Sequence, residues 1–273
     1  MYKGKSIYNP SGKAGEYSYW ACNVHVGCNH GCTYCYLKKG RGAKILGGNT
    51  PRLKKCFESN EHALDIFHKE LLKNIDEIRK YGLFFSFTTD PLSYHGSLDN
   101  PFNFISLAVG ICSSYKVPVK ILTKCGGDEL VERIRHAKIM EYWDKEFVAI
   151  GFTLTGHDEL ELNADTNYQR IYAMKELKYT GYKTFASIEP IIDFQSSMEM
   201  IDLTKDFCDL YKIGLESGNK YNKSDMLKAL KFLDFLIELK KPVYLKESLQ
   251  KLLGVKNSEF DKYFVGRDYN MFY

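Results

Sequence analysis

Short apolar runs alternate with longer helical patterns along most of this chain, and that alternation constrains its fold more than any other feature. Runs rich in β-branched and aromatic residues occur at Trp20 to Val26, Leu83 to Thr89, Val117 to Lys124, Phe147 to Thr155, Lys183 to Ile192 and Leu210 to Leu215, and they read as six strands. Between the first two, Leu64, Phe67, Leu71, Ile75 and Ile78 recur at helical spacing, with Ser59 or Asn60 as N-cap and Gly82 after the last turn. Further helices fit Pro101 to Tyr115, where proline suits the first helical position, then Asp128 to Tyr142, Tyr168 to Thr180 closed by Gly181, and Ser196 to Cys208.

Near-continuous apolar strands separated by helices imply an α/β fold with a parallel sheet buried on both faces. Periodicity leaves two architectures open, a doubly wound sheet and a partial barrel. In both, ligand chemistry gathers at the carboxyl ends of the strands. The strand and helix series spans 20–217, preceded by an extension over 1–19. After Ser217 the pattern changes to a lysine-rich helix from about Asp225 to Lys240, a short strand from Val243 to Leu245 and a tail ending Met271, Phe272 and Tyr273, read as a C-terminal helical cap over 218–273.

With 273 residues, 44% of them hydrophobic and 26% charged, the chain can bury one substantial core. The stretch Met1 to Pro10 lacks the pattern of a signal peptide, and no apolar run approaches membrane-spanning length, so the expected location is the cytoplasm with no membrane partner. In a reducing compartment the eight cysteines are metal ligands, catalytic thiols or buried apolar residues rather than a disulfide framework.

Three of these cysteines cluster. After the first strand comes Gly27-Cys28-Asn29-His30-Gly31-Cys32-Thr33-Tyr34-Cys35-Tyr36, a glycine-bearing loop that can wrap one face of an iron–sulfur cubane. Such clusters normally take four protein ligands, so three local thiolates leave one iron open to a cofactor or substrate. A zinc site is the competing reading, with His25, His30 or Cys22 as fourth ligand. The isolated Cys22, Cys56, Cys112, Cys125 and Cys208 read as structural thiols.

The spacing C-x3-C-x2-C, with aromatic Tyr34 before the last cysteine, resembles the signature loop of the radical S-adenosylmethionine (SAM) superfamily. That resemblance implies a partial (β/α)6 barrel with outer helices, a [4Fe-4S] cluster on Cys28, Cys32 and Cys35, and SAM bound at the open iron. It also implies reductive cleavage of SAM to a 5′-deoxyadenosyl radical, with electrons from a donor such as flavodoxin or ferredoxin. The strand ends sharpen the likeness. Ser86-Phe87-Thr88-Thr89-Asp90-Pro91, Thr123-Lys124-Cys125, Thr153-Leu154-Thr155 and Glu189-Pro190 resemble elements of the spore photoproduct lyase-like branch, sometimes labelled DNA repair photolyase-like. By that resemblance Tyr34, Thr88, Thr89, Asp90, Lys124, Thr153, Thr155 and Glu189 are cofactor-binding, with Thr89 and Asp90 near the methionine moiety, Lys124 near its carboxylate, and Thr153 or Thr155 near the ribose.

There are departures from that branch. It is expected to carry a hydrogen-donating cysteine immediately before the polar pair, where this chain has Phe87, and Cys125 is the alternative donor. A basic stretch including Lys38, Lys39, Arg41, Lys44, Arg52, Lys54 and Lys55, on a chain of net charge +4, fits a flexible phosphate-gripping loop and hence a nucleic-acid substrate. The alternative to a radical enzyme is a zinc-stabilised nucleic-acid-binding protein without radical activity.

Overall fold

The strands are apolar on both sides because each side is covered by a different part of the chain. The computed structural model describes residues 1–39, 43–94, 100–136, 143–216 and 218–273. Arg41, residues 137–142 of the helix read over Asp128 to Tyr142, and the boundary at Ser217 lie outside them.

The strands are β1 (Ile7–Tyr8), β2 (Trp20–Cys22), β3 (His25–Val26), β4 (Arg52–Leu53), β5 (Leu83–Phe85), β6 (Val119–Thr123), β7 (Val148–Thr153), β8 (Lys183–Ile191), β9 (Leu210–Leu215) and β10 (Val243–Leu245). Eight form one sheet in the order β1-β2-β5-β6-β7-β8-β9-β10, antiparallel at β1–β2 and parallel at every other pairing. From β2 onward the spatial order follows the chain without reversal. A doubly wound sheet reverses at a switch point, so this order is that of a partial barrel. Among the described residues no ladder joins β1 to β10.

The helices are α1 (Gly12–Gly15), α2 (Ala43–Leu46), α3 (Asn60–Lys73), α4 (Ile75–Tyr81), α5 (Pro101–Ser114), α6 (Gly127–His136), α7 (Asn167–Tyr179), α8 (Phe194–Thr204), α9 (Lys223–Leu239) and α10 (Glu247–Leu253). None of the described helices is long and apolar enough to cross a membrane. Their apolar stripes, such as Ala63, Phe67 and Leu71 of α3, meet the outward residues Trp20, Leu83, Phe85, Val119, Ile121, Val148 and Ile150 in the main core. The other face carries Ala21, Phe84, Ala149, Phe185, Leu210 and Tyr244, covered by Tyr17 and by Val265 and Met271 of the C-terminal tail. Small residues there make room for large ones. A Cβ at Gly151 would lie 2.2 Å from the Phe185 ring.

Several local details differ from the sequence reading. The strand read over Trp20 to Val26 stops at Cys22, because Asn23 leaves the ladder: its amide donates to the Tyr8 hydroxyl and its side-chain oxygen accepts from the Phe87 N–H. The chain resumes as β3, which pairs antiparallel with β4. The single helix read through Ile78 is two, broken at Asn74, whose side chain donates to the Glu70 carbonyl. The 38–55 stretch is no featureless basic loop, since it contains α2 and β4. There the Arg52 guanidinium donates to the Gly47 and Ile45 carbonyls, and Lys54 donates to the Asn23 carbonyl. The short strand read at Val243 to Leu245 is a seventh parallel member of the sheet, reached through α9.

Candidate functional site

A cavity of about 510 Å³ opens at the carboxyl ends of the parallel strands. Cys28, Cys32 and Cys35 line it together with Tyr34, Thr88, Thr89, Asp90, Lys124, Thr153 and Glu189. Two residues anticipated for the site are not among the lining. The Thr155 hydroxyl accepts from the His157 N–H, and Cys125 is buried with its sulfur 3.9 Å from Asp90 Oδ1 and 3.9 Å from His30 Nε2.

The cysteine loop owes its course to Gly27 and Gly31, both at positive φ. A Cβ at Gly27 would meet the Thr50 carbonyl oxygen at 2.5 Å, and the Gly27 and Cys28 N–H groups donate to the Leu46 and Gly48 carbonyls. The loop is thus stitched to the end of α2 and the segment that follows it. Burial pushes the Cys28 thiol up to about 12, with Asp90 adding to the rise, and burial raises Cys32 while Lys124 opposes it. Such thiols are poor free nucleophiles and would give up their protons to a metal centre.

Asp90, buried behind the loop, is the hub between it and the sheet. Its oxygens accept from Leu92 N–H at 3.0 Å, Thr123 hydroxyl at 2.7 Å and Lys124 N–H at 2.7 Å, and lie 2.8 Å from His30 Nε2. Burial works against its charge, but His30 and these donors outweigh burial and hold the carboxyl at about 2. Its carboxylate is committed to positioning His30 between the first two cysteines. Thr88 is likewise engaged, its hydroxyl donating to the His25 carbonyl at 2.6 Å. Thr89 is different: its hydroxyl oxygen is buried at the cavity wall with no partner among the described residues. An orphaned hydroxyl on a residue that lines the same cavity as three cysteines fits a polar group bound there.

Two charged groups were not legible as site residues. Glu161, after β7, accepts from the Tyr34 hydroxyl and from Arg170, and lies 4.0 Å from Lys124 Nζ. Elsewhere in the cavity lining, Lys246 Nζ donates to both oxygens of Glu189 at 2.7 Å, and the Tyr17 hydroxyl donates to Glu189 at 2.6 Å. Lysine and tyrosine at isolated positions give no periodic signal, so only the return of β10 to the sheet could reveal this pairing.

A zinc site would need a fourth ligand. His30 has both ring nitrogens engaged, Nδ1 at 3.2 Å from the Asn163 carbonyl and Nε2 on Asp90. Cys22 belongs to the helix-facing core, and the His25 ring packs edge-on to Phe104 at 6.1 Å. The three anticipated ligands are all turned to other uses.

The fold and site together define an α/β partial barrel with a thiol-bearing cavity at the carboxyl ends of its strands. No protein-family model matches the chain, and no curated protein does. Solved structures of Streptococcus suis SuiB do match. SuiB bound to S-adenosylmethionine aligns with TM-score 0.53 and 14% identity over 81% of this chain and 48% of that one. SuiB alone aligns with TM-score 0.53 and 14% identity over 88% and 52%, and SuiB bound to precursor peptide SuiA with 0.55 and 14% over 88% and 53%. At that identity the likeness is one of fold, and the chain spans about half the length of the SuiB chains.

Proposed function

We propose that the protein is a radical SAM enzyme in which Cys28, Cys32 and Cys35 hold a [4Fe-4S] cluster and SAM occupies the adjoining cavity. One observation carries the reading: Cys28, Cys32, Cys35 and Thr89, whose buried hydroxyl has no partner among the described residues, line a single cavity at the strand ends of a fold shared with SAM-bound SuiB. When bound and reduced, a cluster of this kind supplies the electron that cleaves SAM to methionine and a 5′-deoxyadenosyl radical. The chain's own residues bind and orient. Lys124 supplies a cation for the cofactor's carboxylate, Thr89 a hydroxyl for its methionine end, Tyr34 and Thr153 contacts for its nucleoside, and Asp90 acts indirectly through His30 and the backbone of Lys124.

The lyase-like branch assignment belongs to this proposal, with photoproduct repair set aside. Phe87 stacks on Phe84, ring centroids 4.5 Å apart, and presents no hydrogen to donate at the position where those lyases are expected to carry cysteine. The substrate is proposed to be a macromolecule, as the SuiA-bound SuiB structure exemplifies for a peptide. A nucleic acid is less well served, because Arg52 and Lys54 are directed at backbone carbonyls and Lys39 at Glu216.

Anaerobically reconstituted protein should be brown, and should form 5′-deoxyadenosine from SAM on addition of dithionite or reduced flavodoxin. Cys32→Ala should abolish both. A colourless protein holding stoichiometric zinc, with no SAM cleavage, would falsify the proposal.

A further inference from the structure

We infer that Glu161 is a positioning residue of the SAM site, an inference that rests on the function proposed above. Glu161 sits in the connection between β7 and α7, with its side chain wholly buried. One oxygen accepts from the Tyr34 hydroxyl and the other from Arg170. Arg170 is itself fully buried, and its remaining donors reach the Thr153 carbonyl at 2.5 Å and the Asp165 carbonyl at 2.8 Å. The carboxylate is therefore anchored to the end of β7 on one side and grips the cysteine loop on the other.

The same connection holds that loop at further points besides the His30 Nδ1 contact with the Asn163 carbonyl. Thr33 N–H donates to the Leu160 carbonyl at 2.9 Å, Asn163 N–H to the His30 carbonyl at 3.0 Å, and the Asn163 amide to the Asn29 carbonyl at 3.0 Å. These contacts fall on both sides of Cys32, so the connection acts as a splint for the middle thiol.

Charge gives Glu161 a second role. One buried carboxylate faces two cations, and they share it unequally: Arg170 is in direct contact, while Lys124 Nζ stands 4.0 Å away and 5.5 Å from the centre of the Tyr34 ring. At 4.0 Å the attraction is felt but no hydrogen bond forms. Lys124 Nζ thus lies over the Tyr34 ring with no hydrogen-bond partner among the described residues, leaving its donors for a second anion in the cavity, which the cofactor's carboxylate supplies. An ion pair needed only to staple the fold would be complete with Arg170. The inclusion of two cavity-lining groups, Tyr34 and Lys124, points to placement of the ligand.

The test compares the full-length wild type with Glu161→Gln and Glu161→Ala after anaerobic reconstitution. It measures iron per chain, SAM affinity, and the electron paramagnetic resonance spectrum of the reduced cluster with and without SAM. Glutamine keeps the shape and most hydrogen-bonding capacity but removes the charge, so Glu161→Gln should retain near wild-type iron, bind SAM about tenfold more weakly and show an altered spectral response to SAM. Glu161→Ala should also lose iron as the splint loosens; if it fails to fold, Glu161→Gln decides. Wild-type SAM affinity and spectral response in Glu161→Gln would overturn this inference alone. Failure of the wild type to take up iron would overturn it together with the function on which it rests.

Discussion

At the scale of single residues, the site divides into groups committed to the protein and groups left over for a ligand. Asp90 and Thr88 belong to the first kind and Thr89 to the second. Thr89→Val removes a buried hydroxyl that has no partner among the described residues, so it should stabilise the ligand-free protein by about 1 kcal/mol, whereas SAM binding should weaken about tenfold. Isothermal titration separates the two effects, and unchanged affinity would refute a ligand role for that hydroxyl. Lys120 offers a test independent of the cofactor. Burial alone lowers its ammonium to about 8 from the ordinary 10.5. The unfolded chain therefore binds more protons than the folded one between those values, and stability should rise with pH from about 8 to 10.5. Lys120→Met should stabilise the protein at pH 7 by about 2 kcal/mol and remove this group's share of the alkaline rise. Urea denaturation at pH 7 and 10 reads both, and a destabilised variant would show that the ammonium has a partner worth more than its desolvation.

At the scale of elements, β10 does more than extend the sheet. Pairing with β9 in register Leu245 to Ile213 brings Lys246 beneath Glu189, where it also approaches Glu16 at 3.7 Å. Gly214 makes the space, since a Cβ there would meet Lys246 Cδ at 2.9 Å and Glu189 Oε1 at 3.0 Å. Lys246→Met leaves two carboxylates without their cation and should lower stability by about 3 kcal/mol. Adding Glu189→Gln should recover part of that loss, because the two residues are directly coupled. Strictly additive losses in a double-mutant cycle would count against the pairing.

At the scale of the whole molecule, the barrel is covered inside as well as outside. Met271 and Val265 of the C-terminal tail join Tyr17 in covering Phe84, Ala149 and Phe185 on the inner face. Helix-facing contacts lie within successive strand and helix units, whereas this layer needs the tail, last in the chain, to return across the sheet. Met271→Asp places a charge in that layer and should cost about 3 kcal/mol. Thermal unfolding and limited proteolysis would register it, and an unchanged melting temperature would mean that the tail contributes no cover.

The alternation of apolar runs with amphipathic helices determined the α/β class and most element positions, because strand and helix periods are local properties of the chain. Spacing alone likewise singled out Cys28, Cys32 and Cys35, three like side chains within one turn-rich loop. Tertiary structure decided what depends on distant partners. It settled the order of the strands in favour of a partial barrel, and it brought Lys246 to Glu189 across 57 positions and Tyr34 to Glu161 across 127. It also separated Thr89, whose hydroxyl is unpaired among the described residues, from Asp90, whose oxygens are both engaged, although the two are neighbours in sequence. Pairing and burial of a polar group are set by what folds against it, and no local pattern of residue types records that.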